Sequence, residues 1–373
     1  MIAPSPTRLF VSGTLSFVLI GALPALYGVS LPAYRRMFYL AEGQGGQLLS
    51  AHGIGAFIFV FAGIFGLRWL TTRFALAALA VGGALVAAQP GWISVLIGAF
   101  ALGAGFGLIS TIQNRRFLAE FGDRGPGMVG LLNAVFGIGA IAAPILFVWA
   151  GGAPSPVFAG IAIGSAALIP VVQPSGKVPA TVGLPDWRNR RSLILILLFA
   201  SVLLEVGLFG FGPSALITLG TPELAAARLA SVFFVVFLLA RLGLYWLTNW
   251  VSAQVLFLCG FVGIALCGLL AAAGWPALAY VLAGGCTGLT FPSFFVWGSA
   301  MLGRDPRIAS LMLAAALFAV ATGPLILGLL LARSGIGSLF GVLGILAAIA
   351  AIALSLTILQ LWRPVPDRAP PNA

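Results

Sequence analysis

Twelve apolar runs follow one another along this chain, with only short polar connections between most of them. A helix needs about 20 apolar residues to cross a bilayer. The runs occupy 8–33, 46–68, 73–90, 92–117, 127–150, 156–173, 191–219, 223–247, 250–273, 276–302, 307–332 and 336–361. No water-soluble fold can hide so many. Of the 373 residues, 61% are hydrophobic and only 7% charged, against about 25% charged in a soluble domain. The expected fold is all-α and membrane-embedded, with twelve transmembrane helices. The first run exceeds the usual 7–15 residue core of a signal peptide and holds Pro24 and Pro32, so it reads as a first helix.

The runs form two similar halves. Gly103 to Pro144 reads GAGFGLISTIQNRRFLAEFGDRGPGMVGLLNAVFGIGAIAAP, and Gly284 to Pro324 repeats its plan as GGCTGLTFPSFFVWGSAMLGRDPRIASLMLAAALFAVATGP. In each, a glycine-rich run leads to a short charged loop, then to a second run ending on proline. Gly103 matches Gly284, Gly107 matches Gly288, Asp123 matches Asp305 and Pro144 matches Pro324. A parallel repeat of this size in an apolar chain is a mark of secondary transporters. The expected division is a six-helix bundle over 1–173, a polar linker over 174–190 and a second bundle over 191–373, the two related by pseudo-symmetry.

Positive charge orients the chain. With the N-terminus in the cytoplasm, only Arg35, Arg36, Arg228 and Arg333 of the 19 Lys and Arg fall outside. Both termini and the linker are therefore expected inside. The net charge of +11 flanks apolar runs and builds no face for nucleic acid. One lysine against many arginines hints at a GC-rich bacterial genome, and so at a bacterial inner membrane. The three cysteines lie within apolar runs without metal-site spacing.

Two six-helix halves, a basic central linker and both termini inside resemble the major facilitator superfamily. Leu131 to Pro144, LLNAVFGIGAIAAP, is similar to the glycine-rich fifth helix of its fucose-permease-like branch. Glu205, Gly207 and Pro213, followed by Ser231 and Arg241, resemble that branch's seventh and eighth helices. The resemblance implies alternating access to a site between the bundles. It also has departures. The superfamily motif G-x-x-x-D-R-x-G-R-R becomes a stretch with Leu67 in place of the Asp, followed by Arg68 and a displaced Arg73. The first run holds no acid, and Ser110 stands where the fourth would carry a glutamate, so sugar–proton symport does not carry over residue by residue.

No catalytic constellation appears, and no enzyme is expected. Glu205 lies near the middle of the seventh run with no charge close in sequence. A bare carboxylate there must face a cavity, pair with a base or hold a proton. It is the expected coupling residue. Gln113, Asn114 and Asn133 are candidate solute contacts, Asn133 reading equally as a bridge between helices. Tyr27, Trp297, Phe291 and Phe295 could stack on a solute ring, but read first as core packing. Arg115 and Arg116 mark the inner end of the fourth run; the alternative is that one of them faces the cavity and binds an anionic group. Arg68, Arg241, Asp123, Arg124, Asp305 and Arg307 are the expected gating charges. His52 reads as an interfacial residue at the outer end of the second run, with a proton pathway as the alternative. The function expected is secondary active transport of a small organic solute, coupled to protons, by a monomer without cofactor. The alternatives are an efflux antiporter and a non-transporting membrane scaffold whose central gap is filled by apolar side chains.

Overall fold

A computed structural model of the protein describes residues 6–64, 69–172, 193–303 and 307–361. Twelve α-helices make up nearly all of it: α1 (Pro6–Met37), α2 (Gly46–Ile64), α3 (Thr72–Ala88), α4 (Trp92–Glu120), α5 (Gly125–Trp149), α6 (Pro154–Leu168), α7 (Ile194–Thr218), α8 (Glu223–Leu247), α9 (Ala253–Ala272), α10 (Pro276–Leu302), α11 (Ile308–Ser334) and α12 (Leu339–Leu361). Ten are long and apolar enough to cross a membrane; α3 and α6 are shorter apolar helices. Helix is the form these runs must take, because hydrocarbon offers the backbone no other partner. The 174–190 linker, Arg68 and Asp305 lie outside the described residues.

Several boundaries differ from the sequence reading; α6, for one, ends at Leu168 rather than near 173. α4 runs to Glu120 rather than stopping near 117, because Arg116 and Glu120 pair one turn apart at 3.1 Å. α1 extends to Met37 and carries Arg35 and Arg36 in its last turn.

Each half repeats one packing scheme. In the first, α1 packs on α5, α4 lies between α2 and α3, and α3 covers α6. In the second, α7 packs on α11, α10 lies between α8 and α9, and α9 covers α12. The repeated glycines make the repeated contacts. Gly103 of α4 lies against the His52 carbonyl of α2, and Gly284 of α10 against the Phe233 carbonyl of α8. Gly107 meets the Ala56 backbone, and Gly288 the Phe237 carbonyl. A Cβ at these positions would displace a backbone, so the sequence repeat is a repeat of close helix crossings.

The bundles meet along α2 with α11, α5 with α8, and α1 with α7. The first two pairs are equivalent under the repeat. The face at which α1 begins is called proximal below, and the opposite one distal.

Candidate functional site

The distal half of the seam is closed by backbone contact. Gly28 of α1 sits over the Phe209 carbonyl of α7, Gly53 of α2 over the Val320 carbonyl of α11, and Gly46 over the Pro324 carbonyl. Gly43 and Gly328 meet backbone to backbone, and Leu49 fills the space beside Gly210. Proline explains two of these acceptors. Pro213 and Pro324 stand four residues after Phe209 and Val320 and have no N–H to give them. Each freed carbonyl turns to a glycine of the other bundle, close enough for a Cα–H···O contact. At the distal rim Arg36 of α1 binds Glu223 of α8 through two contacts of 2.9 Å.

Toward the proximal face the seam opens between α5 and α8. The facing stripes touch where Ser231 donates to the Ile141 carbonyl at 3.0 Å and where Leu238 covers Gly137. Further along the same stripes, Gly130 and Asn133 of α5 and Leu242 and Tyr245 of α8 are exposed. α4 and α5 have no substantial packing against α10 among the described residues. The helices thus splay from a closed distal layer into a proximal gap.

Glu205 and Arg241 stand on the wall of this gap. Glu205 shares a face of α7 with Phe209, one turn toward the proximal side. The Phe209 and Phe234 rings, 6.2 Å apart, belong to the layer distal to it. Arg241 Nη2 lies 3.6 Å from Glu205 Oε1, and the two side chains are 28% and 18% exposed. The guanidinium carbon sits 4.1 Å from the centre of the Phe237 ring, which fixes its plane. Its Nε is enclosed without a hydrogen-bond partner. The pairing gives Glu205 one of the environments that a mid-span carboxylate requires.

The remaining predicted residues divide. Asn133 opens onto the gap; its Nδ2 donates to the Val129 carbonyl at 2.9 Å. Gln113 is fully buried beside Gly13 of α1, with both amide atoms unpartnered. Asn114 continues the stripe of Gly103 and Gly107 that faces α2, its Oδ1 enclosed. Tyr27 is buried within the first bundle, where its hydroxyl bonds His52 Nδ1 at 3.1 Å and its ring meets Phe158. His52 itself is buried between Tyr27 and Phe106, not at an interface with lipid. Trp297 packs on Phe257 and Phe294 in the core of the second bundle. Phe291 and Phe295 are half-buried, 6.2 Å apart. Asp123 and Arg124 are exposed in a short 3-10 helix before α5 and form no ion pair among the described residues, and Arg307 immediately precedes α11 on the same face. Sequence reasoning missed Phe237 beneath Arg241, and the Arg36–Glu223 pair, whose members are 187 positions apart.

No family model matches the sequence, and no curated protein is detectably similar to it. Solved structures are. The nucleoside transporter NupG superposes with a TM-score of 0.74 at 18% identity, over 94% of this chain and 98% of that one. A variant of the peptide transporter POT gives 0.77 at 12% identity, over 97% and 96%. A variant of the E. coli fucose:proton symporter FucP gives 0.61 at 18% identity, over 93% and 98%. With the paired helix packing of its halves and the seam between them, the chain has the two-bundle, twelve-helix fold of the major facilitator superfamily.

Proposed function

We propose that this protein is a secondary active transporter that moves a small organic solute by alternating access, coupled to protons through Glu205. The observation that carries the reading is the Glu205–Arg241 pair on the wall of a gap closed distally and open proximally. An ionisable pair at mid-membrane is expensive to keep and marks a pathway. The seam supports the rest. A distal layer of glycine–carbonyl contacts can separate without breaking a helix, and α2 with α11 and α5 with α8 offer two equivalent crossings about which bundles can rock. Similar structures include transporters of nucleosides and peptides and a fucose:proton symporter. A scaffold filled by apolar side chains is disfavoured by the exposure of Asn133 and Tyr245 along the seam.

The proximal face is the cytoplasmic one, by the distribution of Lys and Arg, in the inner membrane of a bacterium. Asp123, Arg124 and Arg307 are the charges proposed for the proximal gate. Gln113, Asn114 and Asn133 supply amides to the first bundle's side of the route. The test is reconstitution. Proteoliposomes, given a candidate solute chosen by thermal-shift screening, should accumulate it under an imposed pH gradient and lose it on adding a protonophore. A solute that binds but never accumulates under the gradient sinks the coupling.

A further inference from the structure

The geometry points to a carboxylate-bearing solute as the cargo, bound through its carboxylate to Arg241, with Glu205 taking up one proton as it is displaced. This rests on the transport reading above and names the chemical class that its site recognises.

Arg241 is held more loosely than Arg36 and Arg116. The other loose pair, Arg35 with Glu42 at 3.7 Å, stands at the distal rim, and among the described residues only Arg241 has an enclosed Nε without a partner. Arg36 meets Glu223 at 2.9 Å twice, and Arg116 meets Glu120 at 3.1 Å from both Nε and Nη2. Arg241 reaches only 3.6 Å from one carboxylate oxygen, beyond hydrogen-bonding distance, and its Nε has no acceptor. A guanidinium offers five N–H donors in a planar fork. Leaving buried donors unmet is costly, and an acceptor that meets them gains accordingly. The Phe237 ring holds this fork in place before any solute arrives. Its complement is an anion that presents two oxygens, a carboxylate or a phosphate. One guanidinium and one protonatable carboxylate balance a single added negative charge, which a carboxylate carries and a phosphate monoester exceeds. A neutral hydroxyl or amide oxygen can accept from the fork but brings no charge to it, and charge-assisted bonds are roughly twice as strong.

Charge balance supplies the proton. The empty site is neutral, with one carboxylate and one guanidinium. A solute carboxylate on Arg241 leaves Glu205 buried without a counter-charge, which low-dielectric surroundings penalise. No other group in the neighbourhood is free to absorb the change. α1 has no ionisable side chain facing it between Arg8 and Arg35 except Tyr27 and Tyr34, both buried in the first bundle; α5 has none. On α2, His52 is held by Tyr27. On α4, Arg116 is held by Glu120, and Arg115 is a second cation near the proximal end, not a proton acceptor. On α8, Tyr245 stands further toward the proximal face. On α10, Tyr280 stacks on Phe233 at 4.9 Å, and Cys286 lies against Gly263 of α9. α11 has none between Arg307 and Arg333. The proton therefore comes from water in the open gap and goes to Glu205. The loaded site holds one guanidinium, one solute carboxylate and one neutral carboxyl. Solute anion and proton then cross together, one to one, with no net charge moved.

The test uses purified full-length protein in lipid nanodiscs and five probes: acetate, lactate, pyruvate, benzoate and gluconate, each beside its neutral amide or alcohol counterpart. Thermal shift identifies binders. Calorimetry in two buffers of different ionisation heat counts protons. At least one carboxylate should raise Tm while its neutral counterpart does not. Arg241→Lys should weaken its binding about tenfold or more, with the variant still eluting as a single species. Wild type should take up one proton per carboxylate bound, and Glu205→Gln none. Equal stabilisation by neutral counterparts, no shift from any of the five carboxylates, or unchanged affinity in Arg241→Lys overturns the assignment. Arg241-dependent binding without proton uptake overturns the exchange at Glu205 and the proton coupling with it. Gradient-driven accumulation of a neutral solute overturns the carboxylate assignment and leaves the transport reading standing.

Discussion

Arg36, in the last turn of α1, and Glu223, in the first turn of α8, form a two-point ion pair with both contacts at 2.9 Å. It ties the two bundles together at the distal rim. Arg36 is 63% exposed, so water and salt screen the pair. Such bridges contribute about 0–1 kcal/mol, enough to bias a gate without locking it. In a cysteine-free background carrying Leu49→Cys, Glu223→Gln should raise labelling of the buried thiol up to about fivefold, the population change that this energy allows. The charge swap Arg36→Glu with Glu223→Arg should return it toward the starting rate. A labelling rate that ignores both variants removes the pair from the gate.

Backbone contact should matter more than the ion pair. Gly28→Ala and Gly46→Ala each place a methyl where a carbonyl of the other bundle already sits. Overpacking of this kind costs about 1–3 kcal/mol. Here it falls on the closed distal seam alone, so Leu49→Cys labelling should increase while Tm changes little. Gly103→Ala presses instead on the His52 carbonyl within one bundle. It should lower Tm without opening the distal seam. The two measurements together separate a gate glycine from a packing glycine.

Pro213→Ala should have the opposite sign for the helix and the seam. It restores an N–H that can bond the Phe209 carbonyl within α7. The helix gains an internal bond, while the carbonyl has less reason to face Gly28. Hydrogen exchange in α7 should slow, and distal labelling should rise.

Tyr27→Phe removes the hydroxyl that meets His52 Nδ1 at 3.1 Å. A buried imidazole nitrogen left unmet costs about 1–3 kcal/mol. Tm should fall and the number of protons moved per solute should stay the same. A changed proton count would place His52 on the proton route.

Sidedness is checked with single cysteines at Asp123 and Gly152. An impermeant thiol reagent applied to intact cells should label position 152 and spare 123 until the membrane is opened. The reverse pattern would invert the orientation drawn from Lys and Arg.

The helices were legible because each is an apolar run with polar ends, and the halves were legible because glycine spacing repeats. The close crossings give that spacing its physical meaning: Gly103 and Gly284 recur because α2 and α8 press on them. Glu205 was legible as a lone acid in an apolar run, and Asn133 as an amide whose helix faces the seam. Which side of an apolar helix looks into the gap was not legible. Tyr27 and Trp297 sit on helices apolar all round, and only packing shows that both turn inward to their own bundle cores. The Arg36–Glu223 pair left no local trace, since the fold brings together residues 187 positions apart. The α4 end was misread because Arg115 and Arg116 resemble a membrane boundary, while the pairing of Arg116 with Glu120 lets the helix continue.

Coupling through Glu205 is tested most directly by separating exchange from accumulation in one variant. Glu205→Gln keeps the shape of a protonated glutamate and removes the proton from the cycle. In proteoliposomes with solute on both sides, it should exchange labelled solute at a rate comparable to wild type. Under a pH step with solute on one side only, it should fail to accumulate. Wild type should do both. Undiminished pH-driven accumulation in Glu205→Gln would contradict the account and remove Glu205 from the coupling.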